Sequence, residues 1–229
     1  VAFSATEQDV SCAVTTGNFG NILAAWGARR MSLPSRHLCV GSNRNDILTR
    51  FLTANDMTIR GVTPSLSPSM DIQVSSNFER LLFELLGRDA AACASIMAGF
   101  RSTGHMDVPR ESWENATTLF SGRALDDSQT EAEIRALHQK SGYLADPHSA
   151  IGIAAGRRFR QPGTPMVAEA TAHPAKFPDA MVAATGIHPA LPPHMADLFE
   201  RRERYQSVPA TEDAIKTAVR TAVASCNAV

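Results

Sequence analysis

The feature that most constrains this chain is Thr16-Gly17-Asn18-Phe19-Gly20-Asn21, a two-glycine turn set between two runs of different periodicity. Ser11 to Thr16 is short, partly β-branched and closed by Gly17, which predicts a buried strand. From Asn21 to Met31 the apolar residues Ile22, Leu23, Ala25 and Trp26 recur at helical spacing. Arg29 and Arg30 fall near the end of that run, where cations suit the negative pole of a helix. Leu38 to Ser42 predicts a second strand, and Asn45 an N-cap for a helix carrying Ile47, Leu48, Phe51 and Leu52. Strand, helix, strand, helix in this order predicts an α/β fold with a largely parallel sheet flanked by helices.

The remainder is mostly helical in pattern. A polar loop with Pro64 and Pro68 runs from Thr58 to Asp71. Ser76 and Glu79 then read as a capping box for a helix whose apolar stripe is Val74, Phe78, Leu81, Leu82, Leu85 and Leu86. Further helices are expected near 89–103, 109–121 and 128–141, making 74–141 a helical middle. Asp146-Pro147 supplies a cap and a first-turn proline for a helix through Phe159. Thr164 to Thr171 predicts another strand, followed by a proline-rich stretch to Pro193. A last helix over 211–226 carries Ile215, Val219 and Val223 four apart.

At 229 residues the chain can bury a self-sufficient core, about 70% of the surface its unfolded form exposes. A net charge of −1 argues against a nucleic-acid surface or an anionic-membrane patch. No apolar run approaches the roughly 20 residues of a membrane span. Cys12, Cys39, Cys93 and Cys226 stand singly, with no CxxC, so the default compartment is a reducing cytoplasm. The basic residues are almost all arginine, Lys140, Lys176 and Lys216 being the lysines.

Three segments can carry chemistry. Glycines at a strand-to-helix junction let successive amides turn toward one point, and the helix adds its unpaired N–H groups, so Thr16 to Asn21 suits a phosphate. It is neither the G-x-G-x-x-G fingerprint nor a P-loop, and a plain turn explains it equally well. Ala170-Thr171-Ala172-His173-Pro174-Ala175-Lys176-Phe177 ends the last expected strand. There Thr171 offers a hydroxyl into a crevice, unless the segment is only an edge turn. Ser76, Asn77 and Arg80 could hold an anion at a helix start, although capping accounts for Ser76 and Glu79. Asp146-Pro147-His148 reads as a cap. The histidines lack the spacing of metal ligands, so no metal is expected.

With those segments in view, Thr16 to Gly20 resembles the phosphate-cradling loop of threonine synthases. The likeness continues through Asn43 to Leu48, Arg60 to Leu82, Asp146 to Gly152 and Ala170 to Asp179, ending near Pro192. The resemblance implies the carboxy-terminal portion of a fold-type II pyridoxal 5'-phosphate enzyme, a carbon–oxygen lyase acting on phosphates. Its reaction takes O-phosphohomoserine and water to threonine and phosphate. The cofactor phosphate maps to Gly17, Asn18, Phe19 and Gly20, with Asn21 adjacent, and the pyridine nitrogen to the hydroxyl of Thr171. Asn77 and Arg80 are candidates for the substrate phosphate.

The resemblance also implies a Schiff-base lysine ahead of the phosphate loop. None of the 15 residues before Thr16 is lysine, so the catalytic lysine is not found in this chain. An amino-terminal part of the same enzyme is therefore expected as a partner. The alternative is a non-catalytic remnant that binds phosphate or another small ligand. Thr15 stands where the family has proline, Val1 to Ser4 resembles the family's strand before the loop, and residues 5–14 interpose. Residues 1–193 are expected to form the cofactor-binding region and 194–229 a helical tail. The helix after Ala210 matches nothing in the family pattern.

Overall fold

The computed structural model describes residues 8–226, so the strand expected at Val1 to Ser4 lies outside the described residues. The chain forms two compact units, one ending at Pro189 and one beginning at Ala190. In the first, β1 (Val10–Thr15), β2 (Ser35–Ser42), β3 (Phe120–Ala124) and β4 (Met166–Ala168) make a parallel sheet in the order β3-β2-β1-β4. Val14 lies opposite Val40, and Cys12 opposite both Leu38 and Val167. Crossover helices cover both faces, which is why the central strands read as almost uninterrupted small and apolar runs.

Alternation along the strands sorts the core into two layers. Val14, Leu38, Val40 and Phe120 meet Ile22 of α1 (Gly20–Arg30), Phe51 of α2 (Ile47–Ala54) and Phe78 of α3 (Phe78–Leu85) on one face. Ala13 and Cys39 face Ala155 of α7 (Pro147–Phe159) on the other. Glycine permits that second contact to be close. A Cβ on Gly152 would lie 2.7 Å from Thr15 Oγ1, and one on Gly156 2.9 Å from Ala13 Cβ. Burial pushes the Cys39 thiol up to about 12, so it packs as an apolar group.

Several sequence expectations are corrected. The helix expected to 121 stops as α5 (Arg110–Thr117), and β3 begins three residues later, inside the supposedly helical middle. Gly122 lets β3 lie against α2, with the site of an added Cβ only 2.9 Å from Thr49 Cα. β2 begins at Ser35, earlier than expected, while β4 keeps only the centre of its expected range and leaves Thr171 beyond its end. The proline-rich stretch contains α8 (Pro178–Thr185), because Pro178 occupies a first-turn position that needs no N–H.

At α3 the expected capping box is absent: Asn77 is the N-cap residue, and no side chain caps the helix. Val74 lies before the helix and is half exposed. Asn45 caps nothing either, because Asp46 precedes α2 and the Asn45 side chain reaches a distant loop. The helices α4 (Ala90–Thr103) and α6 (Asp127–Ser141) fall close to expectation, α6 with an Asp126–Gln129 capping box. The second unit contains α9 (Glu212–Cys226). No helix among the described residues is long and apolar enough to cross a membrane.

Gly122→Ala tests the β3–α2 contact. Replacing a strand glycine ordinarily gains about 0.5–1 kcal/mol in backbone entropy. Here the methyl would meet backbone rather than a flexible side-chain tip, and overpacking costs about 1–3 kcal/mol. The expected result is a lower urea midpoint with an unchanged m-value.

Candidate functional site

The Thr16–Asn21 loop leaves β1 and enters α1, and its shape is set from three sides. Thr16 N–H donates to the Gly41 carbonyl at 3.0 Å, which extends the β1–β2 ladder by one bond. Phe19 then turns left-handed at φ 63° and ψ 11°. A non-glycine residue pays about 1–2 kcal/mol there. Burying a phenylalanine side chain returns about 1.5–3 kcal/mol, and Phe19 is 1% exposed. Its ring centroid lies 5.6 Å from that of Phe78, edge-on, and 5.9 Å from that of Phe120. The core thus offsets the strained turn.

On the outer side, the Asn18 carbonyl accepts from Asn77 N–H at 3.0 Å and from Asn77 Nδ2 at 2.9 Å. Ser76 Oγ donates to Asn18 Oδ1 at 3.3 Å. The groups expected to cap α3 therefore fasten the loop. At Gly17 an added Cβ would stand 3.0 Å from Met70 Cα and 3.2 Å from the Ser69 carbonyl oxygen, so only glycine fits without displacement. Among the described residues, the amides of Gly17, Asn18, Phe19 and Gly20 donate to no protein acceptor. Free amides around a left-handed residue at a helix N-terminus are what an anion requires.

The wall opposite Gly17 is braced by one carboxylate. Asp71 Oδ1 accepts from Asn43 Nδ2 at 2.7 Å, Asn45 Nδ2 at 2.9 Å and Ser65 Oγ at 2.6 Å. Its Oδ2 accepts from Ser65 N–H at 2.9 Å. These bonds clasp the Thr58–Asp71 loop to the end of β2 and fix the 3-10 turn Pro68–Met70 beside Gly17.

The third wall is the start of α7. Asp146 Oδ1 accepts from His148 N–H at 2.9 Å and Ser149 N–H at 3.3 Å, and lies 3.2 Å from His148 Nδ1. Ser149 Oγ donates to Asp146 Oδ2 and accepts from Thr171 N–H at 3.2 Å. Thr15 Oγ1 donates to the His148 carbonyl. Burial pushes the Asp146 carboxyl up, but the hydrogen bonds from His148 and Ser149 outweigh it and hold the group below its usual 3.8.

These walls enclose a cavity of about 260 Å³ lined by Gly17, Asn18, Gly20, Asn21 and Thr171. Five of the residues read from sequence therefore meet at one place. Phe19, the sixth, does not line the cavity, since its ring is in the core. Asn77 grips the loop from outside, and Arg80 lines a separate cavity of about 720 Å³ with Leu23, Trp26 and Phe83. Lys176 and Phe177, from the candidate segment that holds Thr171, also line the loop cavity, and so do Met70 and His148, which sequence reasoning did not assign to the site. For His148 the signal was the Asp146-Pro147 cap, which places the next residue at the head of a helix. The described residues include no cluster of metal-ligating side chains.

A parallel sheet with a glycine loop at the carboxyl end of one strand and Thr171 beyond the end of its neighbour defines a ligand-binding α/β protein. The model described as threonine synthase, C-terminal, matches residues 149–219. The threonine synthase of Pseudomonas aeruginosa is 49% identical over 207 residues, covering 90% of this chain and 44% of that protein. That of Corynebacterium glutamicum is 35% identical over 230 residues, covering 97% and 48%. The crystal structure of pyridoxal-phosphate-bound threonine synthase from Brucella melitensis superposes with a TM-score of 0.89 at 44% identity, covering 95% of this chain and 47% of that one. The yeast threonine synthase structure superposes with a TM-score of 0.83 at 30% identity, over 95% and 48%. The chain belongs to the threonine synthase family and spans about half the length of these relatives. The match reaches residue 219, well beyond the Pro192 limit of the sequence resemblance and into the helix after Ala210.

Asp146 makes stability depend on acid. A carboxyl held below its unfolded value of 3.8 contributes stability that is fully present above that pH and lost as pH falls through the folded value. Asp146→Asn is expected to lower stability at pH 7 and to flatten the loss below pH 3.8, as read from denaturation at a series of pH values.

Proposed function

We propose that this chain provides the cofactor-phosphate cradle and the ring-nitrogen partner of a pyridoxal 5'-phosphate-dependent threonine synthase, a carbon–oxygen lyase acting on phosphates. The observation that carries the reading is that Gly17, Asn18 and Gly20, whose amides are free, and Thr171 border one cavity. Unpaired amides at the start of α1 suit a phosphate dianion, and the fit needs no cationic side chain. Asn21, one residue into α1, borders the same space.

When bound, the cofactor supplies an electron-withdrawing ring for eliminations on an amino acid. Thr171 presents a neutral hydroxyl to the ring nitrogen and does not enforce its protonation, which moderates that withdrawal. Ser149 fixes the Thr171 backbone, and Asp146 fixes Ser149. The substrate is O-phosphohomoserine, which with water gives threonine and phosphate. The lysine that reacts with the cofactor belongs to the part of the family that this chain does not span. Lys140 and Lys216 are exposed positions on α6 and α9. Lys176 borders the cavity but lies 5.8 Å over the Phe177 ring, in the segment that resembles the family's tail motif. Asn77 and Arg80 are proposed for the substrate phosphate, although Asn77 has its carboxamide committed to Asn18. Residues 1–193 form the cofactor region, 194–229 a helical tail, and the compartment is the cytoplasm.

Titration with pyridoxal 5'-phosphate, followed by absorbance and tryptophan fluorescence, tests the cradle. Gly20→Asp is expected to abolish binding by placing a carboxylate among the amides. Gly20→Ala separates size from charge, because its Cβ meets Asn77 Nδ2 at an ordinary 3.5 Å, and it should lose little. Thr171→Val should weaken binding about fivefold, the value of one neutral hydrogen bond. Unchanged affinity in Gly20→Asp would count against this placement of the loop.

A further inference from the structure

His148 is the residue of the cavity that the helix cap does not explain. Its side chain is 6% exposed, and Nε2 is buried without a partner. The other buried side-chain atoms without a partner among the described residues belong to Ser11, Ser35, Asn55 and Ser75, none of which borders this cavity. A buried polar atom left unpaired forfeits its hydration with no return, a penalty that packing alone does not require. The cap itself uses the His148 and Ser149 amides and the Ser149 hydroxyl, none of them imidazole atoms. Against Phe177, whose ring centroid is 4.8 Å away, an apolar ring would pack equally well.

The Asp146 carboxylate determines which nitrogen carries the hydrogen. It already accepts from two amides and a hydroxyl and, as an anion, has nothing to donate. Nδ1, 3.2 Å from Oδ1, is therefore the donor. In the neutral ring Nε2 keeps its lone pair.

We propose that His148 is a further ligand-binding residue of the loop cavity, where Asp146 orients its ring so that Nε2 accepts a hydrogen bond from a donor group on the molecule that fills the cavity. This rests on the cofactor reading given above, with a phosphorylated heterocycle bearing hydroxyl or N–H groups as the ligand. Asp146 is then a positioning residue, acting through His148 and, by way of Ser149, on the Thr171 backbone.

The test follows histidine side chains labelled with nitrogen-15 during titration of the protein with pyridoxal 5'-phosphate. The His148 Nε2 resonance is expected to move upfield as its lone pair accepts a hydrogen bond, while Nδ1 stays of the protonated type. A residue that only packs would show no such movement. His148→Phe should weaken the dissociation constant fivefold to tenfold. His148→Gln, whose side-chain oxygen can reach the Nε2 position, should recover part of the loss. An unmoved Nε2 signal at saturation, or wild-type affinity in a folded His148→Phe variant, overturns the assignment and leaves the cofactor reading intact. Should His148→Phe fail to fold, the wild-type nitrogen signal decides. Failure of the wild-type protein to bind pyridoxal 5'-phosphate overturns the cofactor reading, and this assignment with it.

Discussion

One buried carboxylate ties together the ends of this site. Asp146 holds the start of α7 through two amides, passes its hold to Thr171 through the Ser149 hydroxyl, and sits beside His148, whose carbonyl receives Thr15. Residues far apart in sequence are thus fixed by hydrogen bonds in a medium of low dielectric, where each bond strengthens and each missing one is costly. Burial works against the ionised form of the group, and its hydrogen-bond donors outweigh that effect. The negative charge also sits at a helix N-terminus, where the aligned peptide dipoles favour it.

That hub works only because α7 lies close to the sheet. Gly152 and Gly156 bring the helix onto Thr15 and Ala13, and Gly41 receives Ile151 from the other side of the contact. Bulkier residues would lift the helix and separate the His148 carbonyl from Thr15. Strand order supplies the rest. β1 has β2 on one side and β4 on the other, so the chain leaving β1 and the chain leaving β4 emerge side by side. A crevice at such a reversal of order is where open parallel sheets bind ligands. The glycine loop and Thr171 face each other for that topological reason.

The front of the fold was legible because its signals are local. A β-branched run ending in glycine, a helical stripe and a second apolar run suffice to specify β1, α1 and β2. β3 escaped because Phe120 to Ala124 offers a single large apolar residue and a glycine, and its strand character comes from pairing with β2 across a long sequence gap. α8 escaped because it lies in a stretch that reads only as proline-rich, whereas Pro178 occupies a first-turn position. At the site, glycines and the Thr171 hydroxyl could be named from residue type and position. Asn45 and Ser76 read as helix caps and Asn77 as a candidate anion ligand, whereas the structure uses all three to fasten loops. Their partners, Asn18, Thr63 and Asp71, are tertiary neighbours that no local pattern announces.

The left-handed turn at Phe19 joins two properties usually kept apart. Its backbone stays in that region only while the ring is wedged between Phe78 and Phe120. The aim of the neighbouring amides is therefore set from the interior, on the side of the loop away from the cavity. Warming that loosens the aromatic cluster releases the turn in the same event, because an unclamped Phe19 has no reason to keep a positive φ. Recognition and melting in this molecule share a hinge.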